Sequence, residues 1–185
     1  MGARVSSVAP TDLGRTFDEI RQPHHYRKDA FAVYYDGQKV ADADPSSFKD
    51  LGGGYGQDAF TTFFAGRSIA HGTQLHASDD GYAEDDFNVF FDGGTVDGVF
   101  PQDFTDLGGG YARTSFGHAL YAGQTIPGAD AASLQSLGHH YAKTRDAVYY
   151  KGQPLDDVDV ATARVSSGSV LRDANGHIFV KGRRV

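Results

Sequence analysis

The sequence has no cysteine and no tryptophan, and it contains a single methionine among its 185 residues. The lack of cysteine excludes disulfides, thiolate metal sites and cysteine redox chemistry. No apolar run approaches the roughly eighteen residues that cross a bilayer, and the first 25 residues lack the hydrophobic segment of a signal peptide. We therefore expect a soluble protein without a membrane span. It would be cytoplasmic, or periplasmic or exported if a signal peptide has been removed.

Positive charge is also scarce, because 17 Lys and Arg stand against 24 Asp and Glu, which gives a formal net charge of −7. Proteins that bind nucleic acid draw much of their affinity from clustered Lys and Arg. The composition therefore argues against a nucleic-acid partner and favours a basic one.

Aromatic residues are abundant, with 10 Tyr and 13 Phe, and they recur at a fixed period. A unit that opens with Tyr repeats at spacings of 29, 27, 29 and 30 residues, and such a period indicates an array of small supersecondary units. Residues that recur in register serve the scaffold, so function should be sought where the copies differ. The five openings are Tyr26, Tyr55, Tyr82, Tyr111 and Tyr141; the pairs that follow them are Tyr34-Tyr35, Phe63-Phe64, Phe90-Phe91, Leu120-Tyr121 and Tyr149-Tyr150; the glycines after these are Gly37, Gly66, Gly93, Gly123 and Gly152.

Each unit is predicted to contain a hairpin followed by a short helix. In the first unit, a strand from Phe31 to Tyr35 ends at Asp36-Gly37, a dipeptide suited to a tight hairpin turn, and a second strand holds Val40. The segment from Asp44 to Gly52 has an N-capping Asp, a Pro at the first helical position and a Gly suited to helix termination. Its apolar pair Phe48/Leu51 returns at Phe104/Leu107 and Leu134/Leu137, and once before the first Tyr at Phe17/Ile20.

These patterns predict one mainly β domain with short helices (α+β repeats) over residues 1-185. Its units lie near 26-54, 55-81, 82-110, 111-140 and 141-169, with half-units at 1-25 and 170-185. We expect an open or gently curved tandem array, since about 29 residues are too few for a four-stranded propeller blade. The alternative is a closed propeller-like ring, because the two half-units would together make a sixth unit.

The recurring pattern Tyr-x-x-Asp, aromatic pair, Gly and Asp-Pro-x-x-Phe-x-x-Leu resembles the DKNYY family of bacterial repeat proteins. The copy that runs from Tyr26 through Asp29 and Tyr34-Tyr35 to Phe48 is the closest, and the pattern departs at Thr114 and Thr144, where the acid is missing. The resemblance implies a non-enzymatic bacterial repeat protein, sometimes exported, and it transfers no catalytic residue.

The candidate metal ligands do not form a recognisable site. The pairs His24-His25 and His139-His140 precede a unit Tyr, but adjacent side chains on an extended chain point to opposite sides. The segment from Gly53 to Asp58 matches the start of a calcium-binding β-roll repeat only once. We therefore predict no metal and no cofactor, with calcium at Gly53 to Asp58 as the alternative.

The copies differ at an acidic junction, the run from Asp79 to Asp86, where the spacing between unit tyrosines shortens to 27 residues. We predict that this run binds a protein partner through complementary charge, the alternative being a solvated face. The leading hypothesis is a non-catalytic protein-binding module, specifically an immunity-type protein that neutralises a basic toxin by docking on it. The alternatives are an envelope-associated or exported structural or ligand-binding repeat protein, and a hydrolase with an unrecognised site. The predicted partner-binding residues are Asp79, Asp80, Glu84, Asp85, Asp86 and Asp92.

Overall fold

The chain forms six small antiparallel sheets in tandem, none of them closed, in a computed structural model that describes residues 26–71, 74–78 and 80–185. Sheet 1 has three strands in the described residues, and sheets 2 to 6 have four. In each four-stranded sheet every strand pairs with the next along the chain. We name the strands, in chain order, the lead, tyrosine, aromatic and return strands; sheet 1 contains the last three.

The strands are short, from two to five residues. The lead strands are Lys49–Gly52, His76–Ala77, Phe104–Gly108, Gln135–Gly138 and Arg164–Ser166. The tyrosine strands are Tyr26–Lys28, Tyr55–Gln57, Tyr82–Glu84, Tyr111–Thr114 and Tyr141–Lys143, with Val170–Arg172 in the same place in sheet 6. The aromatic strands are Val33–Tyr35, Thr61–Phe64, Val89–Phe91, Ala119–Tyr121, Val148–Tyr150 and Ile178–Val180. The return strands are Gln38–Lys39, Arg67–His71, Gly94–Thr95, Gln124–Thr125, Gln153–Leu155 and Arg183–Arg184.

The predicted hairpin turns are confirmed between the aromatic and return strands. Asp36 and Gly37 have φ values of 51° and 78°, and the equivalent pairs in the other sheets also have two positive φ values. Two consecutive positive φ values define the type I′ turn, whose twist matches that of the flanking strands. This requirement explains the recurring Gly.

The core lies between consecutive sheets. Neighbouring residues of an aromatic strand point to opposite faces of the sheet. In sheet 2, Phe63 therefore packs with Phe48 on the sheet 1 side, and Phe64 packs with Ala83 and Phe90 on the sheet 3 side. The same arrangement gives one apolar cluster at each of the five junctions.

A tyrosine hydroxyl crosses each of these junctions. Tyr55 Oη accepts a hydrogen bond from Gly93 N at 3.0 Å and donates one to the carbonyl of Gly81 at 3.0 Å, and both partners belong to the next sheet. The unit tyrosines accept from the turn glycine of the following sheet at 2.8 to 3.0 Å, in the pairs Tyr26–Gly66, Tyr55–Gly93, Tyr82–Gly123, Tyr111–Gly152 and Tyr141–Gly182. Because these bonds repeat with the same geometry, adjacent sheets are related by nearly the same step along the array.

The predicted helices are largely wrong. Most of the Asp44 to Gly52 segment forms a turn and then the lead strand Lys49–Gly52, which pairs with the tyrosine strand of sheet 2. The helical content of the described residues is two single-turn 3₁₀ helices, Pro101–Asp103 and Ala131–Ser133. Asp caps and apolar pairs spaced by three residues fit these turn-then-strand segments as well as they fit a helix. The Phe17/Ile20 prediction lies outside the described residues.

Three further expectations need correction. Four strands do fit within one period, because each strand has at most five residues. Gly52, predicted to terminate a helix, instead ends the lead strand Lys49–Gly52; it has a positive φ, as do Gly53 and Gly54 in the turn that follows. Sheet 6 also has its own lead strand, Arg164–Ser166, so its four strands are complete without residues 1-25.

Candidate protein-docking surface

The loops between the tyrosine and aromatic strands share one construction. The residue three positions after the unit Tyr accepts hydrogen bonds from the backbone of its own loop, as in an Asx turn. Asp85 Oδ1 accepts from Phe87 N at 2.7 Å and from Asn88 N at 2.6 Å, and Asp58 Oδ1 accepts from Phe60 N and Thr61 N in the same way. These carboxylates therefore hold the loops in a fixed shape.

The two departures from the Asp pattern keep this construction. Thr144 Oγ1 accepts from Asp146 N at 3.3 Å and from Ala147 N at 3.1 Å, and Thr114 Oγ1 accepts from His118 N at 3.1 Å. A hydroxyl can replace the carboxylate because the loop needs an acceptor rather than a charge. In the first loop, the hydrogen bonds from the backbone N–H groups of Phe31 and Ala32 hold the pKa of Asp29 below its usual value.

Each of the first four loops presents a phenylalanine to solvent. The exposed fractions are 88% for Phe31, 73% for Phe60, 68% for Phe87 and 74% for Phe116. Each Phe lies two residues after the loop-holding Asp or Thr, and the last two loops have Asp146 and Asn175 in its place. We call these four side chains the phenylalanine row.

The row follows from the regular step of the array. Phe31, Phe60, Phe87 and Phe116 are equivalent positions of sheets 1 to 4, so the same loop of each of these sheets carries one exposed ring. Large apolar side chains that are exposed in a recurring pattern need an explanation, and aromatic residues are enriched in protein–protein interfaces. The row is therefore the feature of the described surface that best fits a docking role.

Sequence reasoning did not find this row, because it assigned Phe31 to the aromatic strand. That strand begins at Val33, so Phe31 lies in the preceding bend. The available signal was the constant position of a Phe two residues after Asp29, Asp58, Asp85 and Thr114.

The structure places the predicted acidic residues in different settings. Asp79 lies outside the described residues. Asp85 is buried and holds its loop, while Asp80 Oδ2 accepts from Gly109 N of the next sheet at 2.8 Å.

Asp92 occupies a type I′ turn with φ of 47°, and Glu84 is a half-buried residue of the tyrosine strand. Asp86 is exposed directly before Phe87, so it is the acid that lies next to the phenylalanine row.

The calcium candidate and the second histidine pair have structural settings, whereas His24-His25 lies outside the described residues. His140 is buried, with Nδ1 3.2 Å from the Tyr121 hydroxyl, and His139 and His140 form a turn with φ of 49° and 66°. The carboxylate of Asp58 receives the N–H groups of its own loop and that of Asp44. Among residues 26–71, 74–78 and 80–185, no three His, Asp or Glu side chains are grouped as metal ligands would be.

A shallow groove at sheet 6 is lined by His177, whose imidazole meets the buried carboxylate of Asp173. His177 Nδ1 lies 3.0 Å from Asp173 Oδ2, and Asp157, Asp159 and Arg184 line the same groove. Asp173 also accepts from the backbone N–H groups of Asp159 and His177, at 2.9 Å each. Asp173 therefore has the same loop-holding role as Asp58 and Asp85.

The fold and the phenylalanine row together define a tandem β-repeat protein with a candidate docking surface. The chain belongs to the DKNYY family, whose family model matches residues 25–183. No curated protein and no solved structure matches the chain. No helix in the described part of the chain is long and apolar enough to cross a membrane.

Proposed function

We propose that this chain is a non-catalytic module that binds another protein through its phenylalanine row. The observation that carries this proposal is the exposure of an aromatic side chain at the same loop position in four consecutive sheets. The loops are held by Asp or Thr side chains and the sheets by tyrosine hydroxyls, so the row is presented without a large entropic cost on binding.

Within this class, we favour an immunity-type protein that neutralises a toxin by docking on it. The net charge of −7 supports this proposal for a basic toxin, because complementary charge speeds association. The DKNYY repeat architecture supports it as well, since a repeat array offers an extended surface. An envelope-associated or exported repeat protein remains the alternative.

The test is affinity capture from the source organism with three baits. The wild-type chain should retain a protein that the double variant Phe60→Ser/Phe87→Ser loses. The matched control Gln124→Ser, an exposed change in the return strand of sheet 4, should retain it. The captured protein is then purified, and its dissociation constant for each bait is measured by calorimetry. Equal affinity for all three baits would contradict docking through the row.

Growth of a bacterial host distinguishes an immunity-type protein from an envelope-associated or exported repeat protein. For an immunity-type protein, the captured partner should arrest growth when expressed alone, and co-expression of the wild-type chain should restore growth. The Phe60→Ser/Phe87→Ser variant should not restore it. A captured partner that does not arrest growth would favour the envelope-associated alternative.

A further inference from the structure

One linker position departs from the scaffold in a way that exposes an additional aromatic side chain. In three linkers before a lead strand, Asp44, Asp130 and Asp159 accept the backbone N–H two residues on, at 2.9 to 3.1 Å. The linker before sheet 4 has Phe100 at this position, with no side-chain cap and 51% exposure. The chain has therefore replaced a turn-stabilising carboxylate by an exposed aromatic ring at one junction.

The linker that carries Phe100 is held against the loop of Phe116, one member of the phenylalanine row. Val96 and Val99 anchor its linker in the apolar cluster between sheets 3 and 4. Ser115 donates its backbone N–H to the Asp103 carbonyl at 2.8 Å and its hydroxyl to Asp103 Oδ1 at 2.5 Å. Since Phe116 is the next residue, these bonds fix the linker against the loop that carries Phe116.

The charge of this region is strongly one-sided. Residues 68 to 112 hold nine of the 24 acids and none of the 17 Lys and Arg, so they carry −9 while the rest of the chain carries +2. Asp86 and Asp97 are exposed in this stretch, and Asp103 is half-buried. By contrast, residues 26 to 67, around the first two loops, hold six acids and five bases.

We infer that the surface formed by Phe87, Phe100 and Phe116 with Asp86, Asp97 and Asp103 binds a cationic amphipathic segment of a protein partner. This inference rests on the proposed function and specifies the chemistry of the partner. The aromatic rings offer apolar contact and faces for Lys or Arg, while the carboxylates attract the cationic side chains. A second copy would bring the same −9 to the interface, and nucleic acid would be repelled.

The substitution Phe100→Asp gives the sharpest test, because it restores the residue found in three other linkers. We expect the unfolding midpoint to stay the same or rise. The probe is a designed amphipathic helical peptide of Leu and Lys, and its Leu and Glu counterpart is the charge control. Wild-type protein should bind the Lys peptide saturably, one to one, and more weakly at high salt. Phe100→Asp and Phe87→Ser should each weaken binding about tenfold, as expected for central aromatic contacts.

Gln38→Ser is the matched control, because Gln38 is exposed in the return strand of sheet 1, in a nearly neutral part of the array and outside the phenylalanine row. It should change the affinity by less than about twofold. Three results would overturn the inference: equal binding of the Glu peptide, undiminished binding by Phe100→Asp, or self-association of the wild type that Phe100→Asp abolishes. If the captured partner still depends on Phe60 and Phe87 but the Lys peptide does not compete with it, this inference fails while the proposed function stands.

Discussion

The unit tyrosine of each repeat links one sheet to the next through hydrogen bonds of its hydroxyl. The rings of Tyr55, Tyr82, Tyr111 and Tyr141 are at most 1% exposed, and their hydroxyls reach the turn glycine of the following sheet. Sheet 6 has Val170 at this position, so it presents no equivalent hydroxyl. The recurrence of Tyr, rather than Phe, thus follows from its polar tip.

Removal of one hydroxyl should therefore weaken the array at one junction. Tyr111 Oη donates to the carbonyl of His140 and accepts from Gly152 N, both at 3.0 Å. Tyr111→Phe leaves Gly152 N without its acceptor and removes one of the two hydrogen bonds to the His140 carbonyl, which still accepts from Lys151 N at 2.9 Å. This loss should lower the free energy of unfolding by about 1–3 kcal/mol. Chemical denaturation measures this loss. Tyr34→Phe, which removes an exposed hydrogen bond to Asp29, is the control and should behave as wild type. Equal effects of Tyr111→Phe and Tyr34→Phe would refute the role of the Tyr111 hydroxyl in joining sheets 4 and 5.

The same tyrosines predict a loss of stability in alkali. Burial raises the pKa of Tyr26, Tyr55, Tyr82 and Tyr111 well above the ordinary value of 10.0. Between the unfolded and folded pKa values the native state binds more protons, so the free energy of unfolding falls as the pH rises above about 10. Denaturant titrations at about pH 8, 10 and 11 should show this decline, with a shallower slope for Tyr111→Phe. A constant free energy across this range would contradict the account.

At the scale of the element, each loop is organised by one acceptor side chain. Asp85→Ala should cost about 1–2 kcal/mol, because two backbone N–H groups lose their partner. Asp85→Thr should recover most of that loss, since Thr114 and Thr144 occupy the same position in other loops. Thermal unfolding of the two variants provides the comparison. A Thr variant as unstable as the Ala variant would show that the loop requires the carboxylate.

The turn glycines serve both the turn and the packing between sheets. A Cβ at Gly93 would lie 2.5 Å from Phe64 Cδ1, whereas nothing lies within 4 Å of one at Gly37. Both residues have positive φ, at 76° and 78°. Gly37→Ala should therefore cost about 1–2 kcal/mol from the backbone alone, and Gly93→Ala about 1–3 kcal/mol more from overpacking. The difference between the unfolding free energies of the two variants measures the cost of overpacking at Gly93. A difference near zero would show that this cost is absent.

Sequence patterns predicted the hairpins well and the lead strands poorly. The period, the Asp36-Gly37 turn and the opposite facing of Phe63 and Phe64 all follow from local rules. The segment from Asp44 to Gly52 satisfies the same local rules for a capped helix. Its strand form depends on pairing with Tyr55–Gln57, which is a tertiary contact that no short pattern encodes.

At the scale of the whole molecule, scaffold and surface use different aromatic residues of the same repeat. Tyr55 and Phe64 are buried between sheets, whereas Phe60, between them in sequence, is 73% exposed. Composition and period cannot separate the buried aromatic residues from the exposed ones, because both kinds recur at about 29 residues. The acidic junction could be read from the sequence, but its relation to Phe100 and Phe116 depends on how the linker packs against sheet 4.

The central claim is that the phenylalanine row binds a partner and is not part of the scaffold. The most direct measurement is the dissociation constant of the captured partner for Phe60→Ser/Phe87→Ser, taken on protein whose unfolding midpoint is recorded in the same buffer. We predict an unchanged midpoint and an affinity reduced by at least about tenfold. Wild-type affinity, or an affinity that falls only in step with the unfolding midpoint, would contradict the claim.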